Sequence, residues 1–94
     1  MTPSTIKYHI NLPVDTTKYS RASAQAAVQT ALAIYNIASI DTFLPTLGAA
    51  GWRVSVVFNP PFPASASPVV YDVEQEVQSL AWPLEGPITA WIHP

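Results

Sequence analysis

Cysteine is absent from this chain of 94 residues, which removes disulfides, thiolate metal sites and a cysteine nucleophile together. Charge is scarce as well. Four Lys or Arg and six Asp or Glu leave a formal net charge of −2, with no basic stripe to hold phosphates and no acidic block to imitate a nucleic acid. Nucleic acid is therefore not an expected partner. Three glycines, Gly48, Gly51 and Gly86, do not make a phosphate-cradling loop, and no serine sits in a Gly-x-Ser-x-Gly elbow. His9 and His93 have no His-x-x-x-His spacing, and catalytic metals usually take three protein ligands, so no metal is expected. Long apolar runs are missing too. The segment Ala22 to Ile40 is punctuated by Gln, Ser, Thr and Asn, and Met1 to Ile10 lacks a basic start followed by an apolar stretch. No membrane association is expected, and the chain reads as cytoplasmic.

What is present is apolar residue, 49% of the chain, enough to fold as one domain over 1–94. A core this small leaves an open sheet face that favours a homo-oligomer. Ile6, Tyr8, Ile10 and Leu12 alternate with Lys7, His9 and Asn11, the pattern of a half-buried strand within Thr5 to Val14 that Pro13 ends. Asp15, Thr16 and Thr17 offer N-cap chemistry for an alanine-rich helix reaching about Ala38. Asp41 to Gly51 reads as a small helical turn or loop, Trp52 to Phe58 as the second strand, and the proline-rich Asn59 to Pro68 as a stiff excursion. Val69 to Val73 reads as the third strand. Asp72 and Gln75 resemble a capping box opening a short helix to about Ala81, with one long strand through Val77 as the competitor. Ile88 to Ile92 is the last strand. The order predicts an α+β, ferredoxin-like βαββαβ sandwich, a four-stranded antiparallel sheet with helices on one face.

Those phases place Lys7, His9, Asn11, Arg53, Ser55, Asp72, Thr89, Trp91 and His93 on the face away from the helices. In this topology the first strand lies beside the last, bringing His9 toward Trp91 or His93 as an acid/base pair, with Asp72 on a neighbouring strand to orient an imidazole. Arg53 is the best single anion holder, or else a structural partner of Asp72 or Glu74. Tyr8, Tyr19, Tyr35, Tyr71 and Trp52 fall at the layer between sheet and helices or at its mouth.

The segment Ile6-Lys7-Tyr8-His9-Ile10-Asn11-Leu12-Pro13-Val14-Asp15 resembles the first strand and turn of muconolactone delta-isomerases, as do Trp52-Arg53-Val54, Tyr71-Asp72-Val73, Val77 to Leu84 and the closing His93-Pro94. The chain departs from that family in its main helix, charged only through Lys18 and Arg21 at its start, and in the extra proline-rich loop. The resemblance implies a dimeric α+β barrel assembled through its sheets, and a cofactor-independent isomerase moving a proton on a small cyclic or aromatic metabolite. His9 and His93 would be catalytic, and Tyr8, Tyr19, Arg21, Arg53 and Trp91 would bind substrate. The alternative is a non-catalytic interaction module, a small subunit or inhibitor using the open sheet face. A pocket of roughly 300 Å³ between helix and sheet favours the enzyme, and a filled core the module.

Overall fold

Alternating apolar residues on several short strands must turn to a common side and be covered there, and two amphipathic helices supply the cover. The computed structural model describes residues 5–45 and 51–94, in the order β1 (Ile6–Leu12), α1 (Arg21–Ala31), β2 (Ile37–Phe43), β3 (Trp52–Phe58), α2 (Ala66–Ser79) and β4 (Thr89–Ile92). The protein is α+β, with one four-stranded sheet ordered β2-β3-β1-β4 and every neighbouring pair antiparallel. Strand order and helix number fit the ferredoxin-like arrangement expected from the periodicity. Both helices pack on one face. Ala24 and Val28 of α1 and Val69, Val73 and Val77 of α2 join Tyr8, Ile10, Leu12, Val54, Val56 and Phe58 in the core.

Three elements differ from the sequence reading. Helix α1 is capped by Ser20, whose Oγ accepts the Ser23 N–H at 3.1 Å, and it ends at Ala31 instead of running to Ala38. Asp15 does not cap it; the Asp15 carboxylate accepts the Thr17 N–H at 2.9 Å and the Thr17 hydroxyl at 2.6 Å in a local turn. Residues 37–43 form an edge strand where a helix end and a helical turn were expected. The reason is a bulge between Ile37 and Ser39. Because of it Ile37, Ile40 and Thr42 pair with Phe58, Val56 and Val54 and share their face, so the first inward step spans three residues and imitates helical spacing. The rest of the expected turn, 46–50, lies outside the described residues.

The third correction concerns 69–73, which is helix and not strand. Helix α2 starts at the N-cap Ser65, and Pro68 falls in its first turn, where a missing N–H leaves no bond unmade. Val69, Val73 and Val77, four residues apart, form its buried stripe. Asp72 therefore sits inside a helix and opens none, and the long-strand competitor fails. Tyr71, expected near the aromatic layer, is 63% exposed.

Two close approaches tie the ends of the sheet together. Gly51 has φ +90°, and a Cβ there would collide with the Leu12 carbonyl, so only glycine lets the chain enter β3 beside the end of β1. The Glu85 N–H donates to the Pro13 carbonyl at 2.8 Å, holding the approach to β4 against the same corner. Among the described residues, no helix is long and apolar enough to cross a membrane.

Candidate functional site

The pleat that sends Tyr8 and Ile10 into the core sends His9 between them to the other face. Register then decides its neighbours: Ser55 of β3 lies opposite on one side and Trp91 of β4 on the other. The His9 Nδ1 is hydrogen-bonded to Ser55 Oγ at 2.8 Å, and its Nε2 to His93 Nδ1 at 2.8 Å. His93 follows β4 directly and is held by its own N–H, which donates to the Lys7 carbonyl at 2.8 Å. Both ring nitrogens of His9 are thus engaged by side chains from the two flanking segments.

One residue pair further along, the Arg53 Nε–H donates to Asn11 Oδ1 at 3.0 Å, and its guanidinium carbon stands 5.0 Å from the centre of the Trp91 ring. Trp91 also lies against His9, ring centres 5.6 Å apart. A hydroxyl, two imidazoles, a guanidinium and an indole therefore share one patch. Burial first, then the charges of His93, Lys7 and Arg53, push the His9 imidazole below its ordinary 6.5. A 2.8 Å nitrogen–nitrogen contact holds a single proton between the rings, and a second cationic imidazole would face a like charge across it.

Of the expected site residues, the structure brings together His9, His93, Arg53 and Trp91. Tyr8, Tyr19 and Arg21 lie apart, on the helix-covered side. Tyr8 is 1% exposed, its hydroxyl donates to the Pro63 carbonyl at 3.3 Å, and burial raises its pKa above the ordinary 10.0. Tyr19 stacks on Trp82, ring centres 4.5 Å apart, and its carbonyl accepts the Trp52 indole N–H at 2.8 Å. Arg21 is the exposed first residue of α1.

Asp72 is not beside the imidazoles. It accepts the Tyr35 hydroxyl at 2.8 Å on the helical side, so the expected Asp72 orienter and the Arg53–Asp72 pair are both overturned. Burial, then the hydrogen bond and charge of Asp72 and the charge of Tyr8, push the Tyr35 hydroxyl up to about 12. Ser55 is the residue that sequence reasoning placed on the right face but left without a role. Its signal was the alternation through Arg53, Ser55 and Val57, which puts a hydroxyl level with His9 only once the β1–β3 register is known.

The layer between helices and sheet is packed with side chains at or near zero exposure. On the helical side, a shallow groove of about 250 Å³ runs between Tyr71, Glu74 and Ala90, and another of about 320 Å³ between Ala27, Thr30 and Trp82. None of the expected site residues lines either groove. Among the described residues, no three His, Asp or Glu side chains come together as a metal cage. No family model matches the chain, and no curated protein matches it.

Proposed function

We propose that the open sheet face is an acid–base site that moves a proton on a small cyclic or aromatic metabolite without a cofactor, on a ferredoxin-like domain resembling muconolactone delta-isomerases. The observation that carries this reading is the His9–His93 pair, two imidazoles sharing one hydrogen bond at 2.8 Å. With both nitrogens of His9 engaged and the shared proton on His93 Nδ1, the outer His93 Nε2 takes a proton from a carbon acid and returns it to a neighbouring carbon of the same substrate, while neutral His9 accepts the hydrogen bond that spreads the added charge along the pair. Trp91 offers a flat face to an unsaturated ring. Arg53, beside it, offers charge to a carboxylate or developing enolate. In a homo-oligomer, a second copy laid over this face would exclude water and strengthen each of these interactions.

The test uses deuterium exchange. Unsaturated lactones and enolisable cyclic ketones are incubated with the protein in heavy water, and the acidic C–H signals are followed by proton NMR. Exchange above buffer that falls by about 100-fold or more in His93→Gln supports the reading. Equal exchange in both proteins ends it. The filled helix–sheet layer favours a second reading, an interaction module docking through the open face; absent exchange together with concentration-dependent sedimentation is its signature.

A further inference from the structure

The geometry points to Ser55 as a base-activated nucleophile that accepts the acyl group of a small carboxylic ester, with His9 as its base and His93 as the positioning residue behind that base. Strand β3, strand β1 and the residue after β4 contribute one group each. Ser55 Oγ lies 2.8 Å from His9 Nδ1, and His9 Nε2 lies 2.8 Å from His93 Nδ1. A hydroxyl, a base within hydrogen-bond reach and a third group that orients the base make a nucleophile relay, which is recognised by distances and roles whatever the chain order or local motif. The missing Gly-x-Ser-x-Gly elbow does not bear on it, because Ser55 lies mid-strand and register delivers its base.

Proton bookkeeping favours one arrangement. Neutral His9 carries a single N–H. Placed on Nε2, that proton is donated to an unprotonated His93 Nδ1, and the Nδ1 lone pair of His9 is left to accept the Ser55 hydroxyl proton. His93 then keeps its own proton on its other nitrogen. Burial and the nearby positive charges hold His9 in the neutral form this requires. Ser55 is 5% exposed, a small side chain flanked in register by His9 and Asp41 and along β3 by Arg53 and Val57. It lies on the face away from both helices, and its low exposure restricts the proposed acyl donor to a small one.

In the first half-reaction Ser55 Oγ bonds to the ester carbonyl carbon, its proton passes to His9 Nδ1, and the carbonyl π pair moves to oxygen. Lys7 and Arg53, each two residues from a reacting group on the same strand, supply positive charge for that oxyanion. When the carbonyl reforms, the bond to the leaving alkoxide breaks and the alkoxide takes the proton from His9. Water repeats the sequence on the acyl-serine, giving its proton to His9 and releasing the carboxylic acid with Ser55 restored.

Incubation with p-nitrophenyl acetate, followed by intact-mass measurement and peptide mapping, tests this directly. The expected result is one acetyl group on Ser55, a burst of nitrophenolate, no label in Ser55→Ala, and acylation slowed by about 100-fold or more in His9→Gln. His93→Gln, whose side-chain carbonyl still accepts from Nε2, retains more rate than His93→Ala, and the acidic limb of the rate profile moves in His93→Ala. Mapping a fluorophosphonate adduct on the unmutated protein gives the same answer should Ser55→Ala not fold. Label on Lys7 or another residue, equal labelling of Ser55→Ala, or no label at all overturns the assignment. Ester acylation and carbon-acid exchange are read on different bonds, so this inference and the proposed proton transfer stand or fall separately.

Discussion

The two faces of the sheet are made by the same strands and alternate residue by residue, yet they answer to different physics. On β1 and β3 the inward set Tyr8, Ile10, Leu12, Val54, Val56 and Phe58 is at most 1% exposed. In the outward set, Lys7, His9, Asn11, Arg53 and Ser55, side-chain hydrogen bonds join His9 with Ser55 and Arg53 with Asn11. The inward face is held by area and shape, where any missing methylene is felt. The outward face is tied by part-buried side-chain hydrogen bonds, each worth about 1 kcal/mol to stability, that fix orientation. Stability should therefore depend on one face and chemistry on the other.

The sharpest test of that division is Phe58→Ala against Ser55→Ala. The first empties a site packed edge-to-face on Tyr8 at 5.3 Å, and is expected to cost about 3–5 kcal/mol in denaturant unfolding. The second, three residues away on the opposite face, is expected to cost about 1 kcal/mol. Similar losses would break the comparison. Gly51→Ala comes next: the positive φ alone costs about 1–3 kcal/mol, and the collision with the Leu12 carbonyl adds to it. A melting temperature unchanged by that substitution would show that the corner joining the two strands can shift freely.

Smaller effects sharpen the contrast through pH. Unfolded tyrosine loses its proton near 10.0, while folded Tyr35 keeps it to about 12, so the folded state binds more protons in that window. Stability should fall as pH rises through it, and Tyr35→Phe, costing about 1 kcal/mol at neutral pH, should weaken that fall. His9 gives the opposite sign. Its folded pKa lies below 6.5, so the unfolded chain binds more protons as pH falls past that value and stability declines until folded His9 titrates. The charges facing His9 are Lys7 on its own strand, Arg53 on β3 and His93 after β4, with Asp41 of β2 in the same row beyond Ser55. His9→Gln should flatten this acid-side slope in thermal melts recorded from pH 7 downward, and an unchanged slope would place the titration elsewhere.

Much of the sheet was legible. The period-two runs at Ile6 to Leu12 and Trp52 to Phe58 and the final strand appear where alternation put them, because a strand with one buried face has little choice of phase. Edge strand β2 was not legible: its bulge replaced alternation with a three-residue step, and it follows a helix whose alanine content favoured continuation. The start of α2 was hidden because Val69, Tyr71 and Val73 alternate as well as they spiral. Only packing against Ala24, Val28 and the sheet selects the helical phase.

Sequence alone was enough to put His9, Arg53, Ser55, Trp91 and His93 on one polar face, since side-chain direction in a strand follows parity. Which of them touch was decided by tertiary structure. Register between strands distant in the chain is set by turns, bulges and core packing together, and it alone placed Ser55 and His93 on the two nitrogens of His9 while carrying Asp72 to the opposite side on a helix.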